Sequence, residues 1–121
     1  MNCQEYIKEL QDNTKTEDIL KISSVENIYG KINSELVKKI ISSSDQTKFF
    51  DNNIRSLSFE EIIEAEKDLH TDFTKKHLLP LFDLGDNDFI VYQLSSNTWA
   101  DFNITDEIMF NTTTLLNNLL Q

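Results

Sequence analysis

The carboxylates of residues 77–121 are the side chains of this sequence with the clearest capacity for chemistry. This segment has six acidic residues and no lysine or arginine, whereas residues 1–76 hold all 11 basic residues and 15 acidic ones. Carboxylates can pair with the lysines and arginines of a partner, and a field of one sign speeds the capture of an oppositely charged molecule. Alternatively, an acidic surface serves solubility alone. The six candidate partner-binding residues are Asp83, Asp86, Asp88, Asp101, Asp106 and Glu107.

The other reactive residues show no catalytic or metal-binding pattern. His70 and His77 lie far from Cys3 in the sequence, and no zinc-ligand spacing results. The aspartate-rich segment 83–88 lacks the closing glutamate of a calcium loop and is typical of a turn. The two glycines of the chain are too far apart for a phosphate-binding loop. We therefore expect no enzyme activity, no catalytic residue, no metal and no cofactor.

Trp99 has two interpretations. Tryptophan is enriched where the binding energy of an interface is concentrated. It is also a common core residue, and here it can pack from a strand against Phe89, Val91 or the last helix. We favour the core position. Asp101, two residues further on, shares the same side of the strand if the strand is regular.

Composition limits the class of protein. The 121 residues are 39% apolar, which is enough for one domain, spanning residues 1–121, with a hydrophobic core. No apolar run of about 18 residues is present, and the N-terminus lacks the apolar stretch of a signal peptide. Cys3 is the only cysteine, so no internal disulfide can form. We therefore expect a soluble, cytoplasmic protein, and the net charge of −10 predicts that it binds neither nucleic acid nor membrane.

The elements that position these residues begin with helices. Apolar residues recur at helical spacing in the N-terminal third, and again after residues 34 and 58. Glycine is expected where a helix stops, because it adopts a left-handed backbone without steric cost. In the N-terminal helices, Ser23-Ser24 are predicted to supply capping hydroxyls and Gly30 to end a helix. Asn33 or Ser34 is predicted to cap the next helix, and Ser58 with Glu61 to form a capping box for the helix after it.

Extended segments follow. A short strand pair is predicted around the turn at residues 51–53, and "LLPLFDL" and "DFIVYQL" form a hairpin whose turn, Gly85-Asp86-Asn87, needs positive φ. Pro80 belongs at the start of its strand or on an open edge, because it cannot donate a ladder hydrogen bond. "WADFNI" adds a third strand, so residues 78–104 form an antiparallel meander.

The C-terminus predicts a last helix, capped by Asn111 or Thr112, whose four leucines at 115, 116, 119 and 120 face the core. The fold class is therefore α+β, with N-terminal helices, a central antiparallel sheet and a capping C-terminal helix.

The order of these motifs resembles the SUKH superfamily, the Smi/Knr-like group. The resemblance spans roughly residues 24–120 and is carried by "YGKINSELVKKIISSS", "LSFEEIIEAEKDL", "LLPLFDLGDNDFIVYQL", "TWADFN" and "LLNNLL". Its most specific part runs from Leu57 to Trp99, where "LSFEEI" matches a helix start and "LPLFDLGDND" a proline and glycine-aspartate hairpin of the family.

Bacterial members of this family are abundant as toxin-immunity proteins. The resemblance implies an immunity protein that binds and neutralises a cognate toxin domain, and the anionic C-terminal third favours a basic nuclease as that toxin. Two alternatives stay open. One is a non-catalytic regulatory adaptor or scaffold of the Smi/Knr-like type, and the weaker one is a small hydrolase with a degenerate site. The oligomeric state is not predicted.

Overall fold

The computed structural model describes residues 1–13 and 17–120, which form helices and one antiparallel sheet, as the α+β class requires. No helix within these two ranges is long and apolar enough to cross a membrane. The helices are α1 (Cys3–Asp12), α2 (Ile19–Tyr29), α3 (Glu35–Ser42) and α4 (Phe59–Leu69). The strands are β1 (Arg55–Ser56), β2 (Leu78–Gly85), β3 (Asp88–Gln93), β4 (Thr98–Asn103) and β5 (Ile108–Thr113). Short 3-10 turns lie at Asp51–Asn53 and Leu116–Leu119.

Three of the predicted helix boundaries are confirmed. Both hydrogen bonds of the Ser58 and Glu61 capping box are present at the start of α4. Ser34 caps α3, and Gly30, with φ 116°, ends α2. The role expected for Ser23-Ser24 is wrong, because both serines lie inside α2. The carboxylate of Asp18 caps that helix instead and accepts the backbone N–H of Lys21 at 3.1 Å.

The sheet has the strand order β1-β2-β3-β4-β5 with every neighbouring pair antiparallel, so the predicted meander over residues 78–104 is confirmed. Gly85 has φ 87°, and Asp86 and Asn87 between β2 and β3 also have positive φ, as this turn requires. Pro80 is the third residue of β2 and lies outside the part of β2 that pairs with β1.

The C-terminus differs from the predicted helix. Asn111 and Thr112 do not cap a helix but lie in β5, and only the short turn Leu116–Leu119 follows that strand. Leu116 and Leu120 are buried as expected, whereas Leu115 is 63% exposed. The reason is tertiary: β5 pairs with β4 through the turn at 104–107, and the few residues left beyond it are too short for a stable α-helix.

The core lies between the helices and the sheet. Trp99 is 3% exposed and meets Tyr92 in an edge-to-face contact with ring centroids 4.9 Å apart, so its interpretation as a core residue is confirmed. Its ring partner is on the neighbouring strand, because Tyr92 and Trp99 are directly opposite each other in the sheet. Cys3 on α1 is also buried in this core.

Candidate functional site

The turn between β2 and β3 and the turn between β4 and β5 lie side by side at one end of the sheet. The backbone N–H of Ile104 donates to the carbonyl of Asn87 at 3.0 Å, and the Asn87 side chain donates to the Thr105 hydroxyl at 3.0 Å. These bonds join the two turns. Four of the six predicted binding residues therefore come together here, and we call them the acidic end: Asp86, Asp88, Asp106 and Glu107.

Asn103 fixes the geometry of the acidic end. Its side-chain carbonyl accepts the backbone N–H groups of Thr105 at 3.0 Å and Asp106 at 2.9 Å, and its amide donates to Asp88 at 2.7 Å. An asparagine that accepts from the backbone two and three residues ahead is a common way to form a turn. Sequence reasoning missed this residue, although its type and its position after a strand were the available signal.

The four carboxylates of the acidic end are not equally available to a partner. Asp86 and Asp106 are exposed, whereas Asp88 is half-buried and holds the bond from Asn103. The Glu107 carboxylate is 53% exposed and lies 3.7 Å from the ammonium of Lys76. An exposed ion pair of this length contributes little to stability and can exchange partners.

Asp83 is held by the protein itself. Arg55 donates to its carboxylate at 2.8 Å, and the backbone N–H of Gly85 donates to it at 2.8 Å. The same arginine donates to both carboxylate oxygens of Glu61 on α4 at 2.8 Å. The Asp83 side chain is thus bound to Arg55 of β1, which in turn binds Glu61 of α4, and it does not join the acidic end.

Asp101 is buried in β4, at 8% exposure. One carboxylate oxygen, Oδ2, accepts from the Asn111 amide at 3.0 Å, and the other, Oδ1, is buried and has no hydrogen-bond partner within the described ranges. Burial raises the pKa of Asp101, the Asn111 bond partly offsets that rise, and the charge of Asp88 adds to it. Asp101 is therefore a costly buried carboxylate rather than a surface charge.

An apolar strip adjoins the acidic end, and the sequence did not predict it. Ile108, Met109 and Phe110, which we call the apolar edge, are 56%, 40% and 40% exposed. They belong to β5, which ends the strand order and pairs only with β4 in the part of the chain described. Phe110 is directly opposite Asp101 in the register, so the two side chains share one face of the sheet.

No group of three histidine, cysteine or acidic side chains is placed to hold a metal ion among residues 1–13 and 17–120. A cavity of about 540 Å³ lies between α1 and the C-terminal end of α3. Among the described residues, those that line this cavity include lysines and carboxylates but no histidine.

Comparison with protein-family models, with curated proteins and with solved structures finds no significant match to this chain.

Proposed function

We propose that this chain is an immunity protein that binds a basic toxin domain, most simply a nuclease, and blocks its substrate groove without catalysing a reaction. The observation that carries the proposal is the acidic end, where two turns tied to each other present Asp86, Asp88, Asp106 and Glu107 beside exposed apolar side chains. The SUKH resemblance of the sequence motifs supports the same conclusion.

The chemistry follows from what a nuclease must bind. A nuclease holds phosphates with lysine and arginine side chains, and a cluster of carboxylates can pair with the same groups. The net charge of −10 attracts a basic domain over a longer range and speeds the encounter. Apolar contact beside the charges then supplies the burial that ion pairs alone do not provide.

The direct test is co-expression with a toxin domain taken from the neighbouring genes, where an immunity protein's toxin is expected, followed by stopped-flow binding at low and high salt. We expect protection from the toxin, and slower association as salt shortens the Debye length to about 8 Å at physiological ionic strength. Protection with salt-independent association would reject electrostatic capture and keep the immunity function. Neither protection nor binding would reject both and favour the adaptor alternative.

Variants test the acidic end itself. Changing Asp86, Asp88 and Asp106 together to asparagine should slow association about threefold to tenfold, because steering depends on the local field. Asparagine at residue 88 keeps an oxygen that can accept from Asn103. Asp83 is left unchanged, because loss of its ion pair with Arg55 would confuse a loss of binding with a loss of stability. The matched control changes three exposed acids on α1 and α4, Asp12, Glu64 and Asp68, to their amides. Equal slowing by both triple variants would contradict a role specific to the acidic end.

A further inference from the structure

Strand β5 has the properties of a strand that accepts another strand. Its three apolar residues are exposed, it pairs on one side only within the described chain, and it contains no charged residue and no proline. Proteins usually protect such an edge with lysine, proline or a bulge, because its unpaired N–H and C=O groups attract further strands. Here the protection is limited to one bulge at its far end, where Asn111 has φ 57°.

The buried Asp101 indicates the charge of the segment that β5 accepts. Its Oδ1 atom has no hydrogen-bond partner among the residues described, and Asp101 lies on the same face as Phe110. A lysine or arginine placed beside Phe110 on an added strand would lie two strand spacings from Asp101, roughly 10 Å between backbones. Long basic side chains can cover much of that distance along an apolar surface. Because Oδ1 is itself buried, the basic group would be attracted by the charge of Asp101 without bonding to that atom.

A second copy of this chain is a poor occupant for the same edge. Each copy carries a net charge of −10, so pairing two β5 strands would bring two strongly negative chains together. Lys76, the nearest base to Glu107, already lies against that carboxylate. Like charges brought together at an interface disfavour association. Charge complementarity therefore selects a basic partner over self-association.

We propose that β5 is the docking strand of the binding function proposed above, and that it takes an extended segment of the partner with alternating basic and apolar residues as a sixth strand. Backbone hydrogen bonds along residues 108–110 supply the pairing, the apolar edge packs the alternate apolar side chains, and Asp101 with the acidic end selects the basic ones. The inference rests on the proposed function for the identity of the partner, but its geometry is tested independently of any toxin.

The test uses a synthetic peptide of alternating lysine and valine, with an alternating glutamate and valine peptide as control, and residue-resolved hydrogen exchange of the full chain. At about ten times its dissociation constant, the basic peptide should slow exchange of the outward amides of residues 108–110 about tenfold. The acidic peptide should have no effect. An absence of slowing at β5, or slowing spread over the whole chain, would overturn the proposal. Slowing that rises with protein concentration without peptide would identify a second copy as the occupant and would also overturn it.

Two matched variants complete the test. Met109→Lys places a positive charge on the edge and should abolish the peptide effect, whereas Leu20→Lys adds the same charge at an exposed apolar residue of α2 and should not. In co-expression with the toxin domain, Met109→Lys should lose protection and Leu20→Lys should keep it. Protection retained by Met109→Lys would reject β5 docking while the immunity function stands. Failure of the unmodified chain to protect would reject the immunity function, and the peptide experiment would still decide whether β5 accepts a basic strand.

Discussion

The six acidic residues of the C-terminal third cannot be distinguished by residue type alone, but their environments in the structure differ. Asp83 is neutralised by Arg55, Asp101 is buried with one oxygen unpartnered, and the remaining four line the acidic end. Only the last group can form a direct ion pair with a partner without first breaking a contact in the core. At the scale of single residues, burial and pairing therefore decide the function of a carboxylate more than its position in the sequence.

Asp101→Asn is expected to stabilise the fold at pH 7 by about 1 kcal/mol, because the amide removes a buried charge and keeps an oxygen for the Asn111 bond. Burial raises the folded-state pKa of Asp101 above its unfolded value of about 3.9. The wild type therefore loses stability at this residue as the pH rises through the folded-state pKa and the buried carboxyl group becomes charged. Urea unfolding at pH 4 and pH 7 measures this. The difference in free energy of unfolding between Asp101→Asn and the wild type should be small at pH 4 and should grow toward pH 7.

The exposed Asp106→Asn is the control for that comparison and should change the free energy of unfolding by less than about 0.5 kcal/mol. A destabilised Asp101→Asn variant at pH 7 would contradict the account of Asp101 as a costly carboxylate. If β5 docks a basic segment, Asp101→Asn should also weaken that binding.

Gly85→Val should destabilise the protein by about 2 kcal/mol. Gly85 has φ 87°, which strains any residue with a Cβ and a β-branched one most. A Cβ at this position would meet no atom within 4 Å, so steric clash does not contribute. Gly85→Asn is the matched variant, because asparagine tolerates positive φ, and thermal melts should place it between wild type and valine. Equal midpoints for both variants would show that backbone strain is not the cause.

Arg55 joins three elements at the opposite edge of the sheet. From β1 it reaches Glu61 on α4 and Asp83 on β2, each at 2.8 Å. Burial opposes ionisation of Glu61, but hydrogen bonds from Ser58, Arg55 and Thr47 and the charge of Arg55 outweigh it, so the pKa of Glu61 is lowered. A strand of only two residues is thereby fixed to the sheet and to a helix by one side chain.

Glu61→Gln should cost about 1 kcal/mol at pH 7, a value reduced for partial exposure of the side chain. Glutamine can still accept from the Ser58 N–H, so the helix cap is kept, whereas the charge and one of the two oxygens that accept from Arg55 are lost. Because the folded-state pKa is lowered, the advantage of the wild type is present above the unfolded-state pKa of about 4.3 and is lost as pH falls through the folded-state value. Chemical unfolding across pH 2.5–7 follows this loss, and Glu64→Gln on the same helix serves as control. A loss of stability that persists at the lowest pH would assign the effect to something other than ionisation.

The sequence predicted the elements whose signals are local. The capping box of Ser58 and Glu61 and the turn at residues 85–87 depend on neighbouring residues, and both are present. β5 was missed because its stability comes from pairing with β4, and the four leucines that follow it gave a helical spacing. For the site, residue types identified the acidic residues, but the joining of two turns through Asn87 depends on contacts distant in sequence.

The charge of the whole molecule also acts on its stability. With a net charge of −10, the folded chain repels itself, and salt screens this repulsion. Raising sodium chloride from about 10 mM to about 300 mM at pH 7 should raise the thermal midpoint by about 3 °C. The same titration near pH 4.5, the isoelectric point of the sequence, should show almost no change. A midpoint that falls with salt at pH 7 would mean that attractive ion pairs outweigh the repulsion.

The reactivity of Cys3 can report the detachment of α1 from the core. The thiol is 2% exposed on α1, and burial raises its pKa to about 12. Alkylating agents react with the thiolate, so this cysteine is chemically silent while α1 is packed and becomes reactive only when the helix detaches. The rate of native-state alkylation with iodoacetamide, followed by mass spectrometry, therefore measures how often α1 detaches. Comparing this rate with the rate of global unfolding separates the two events.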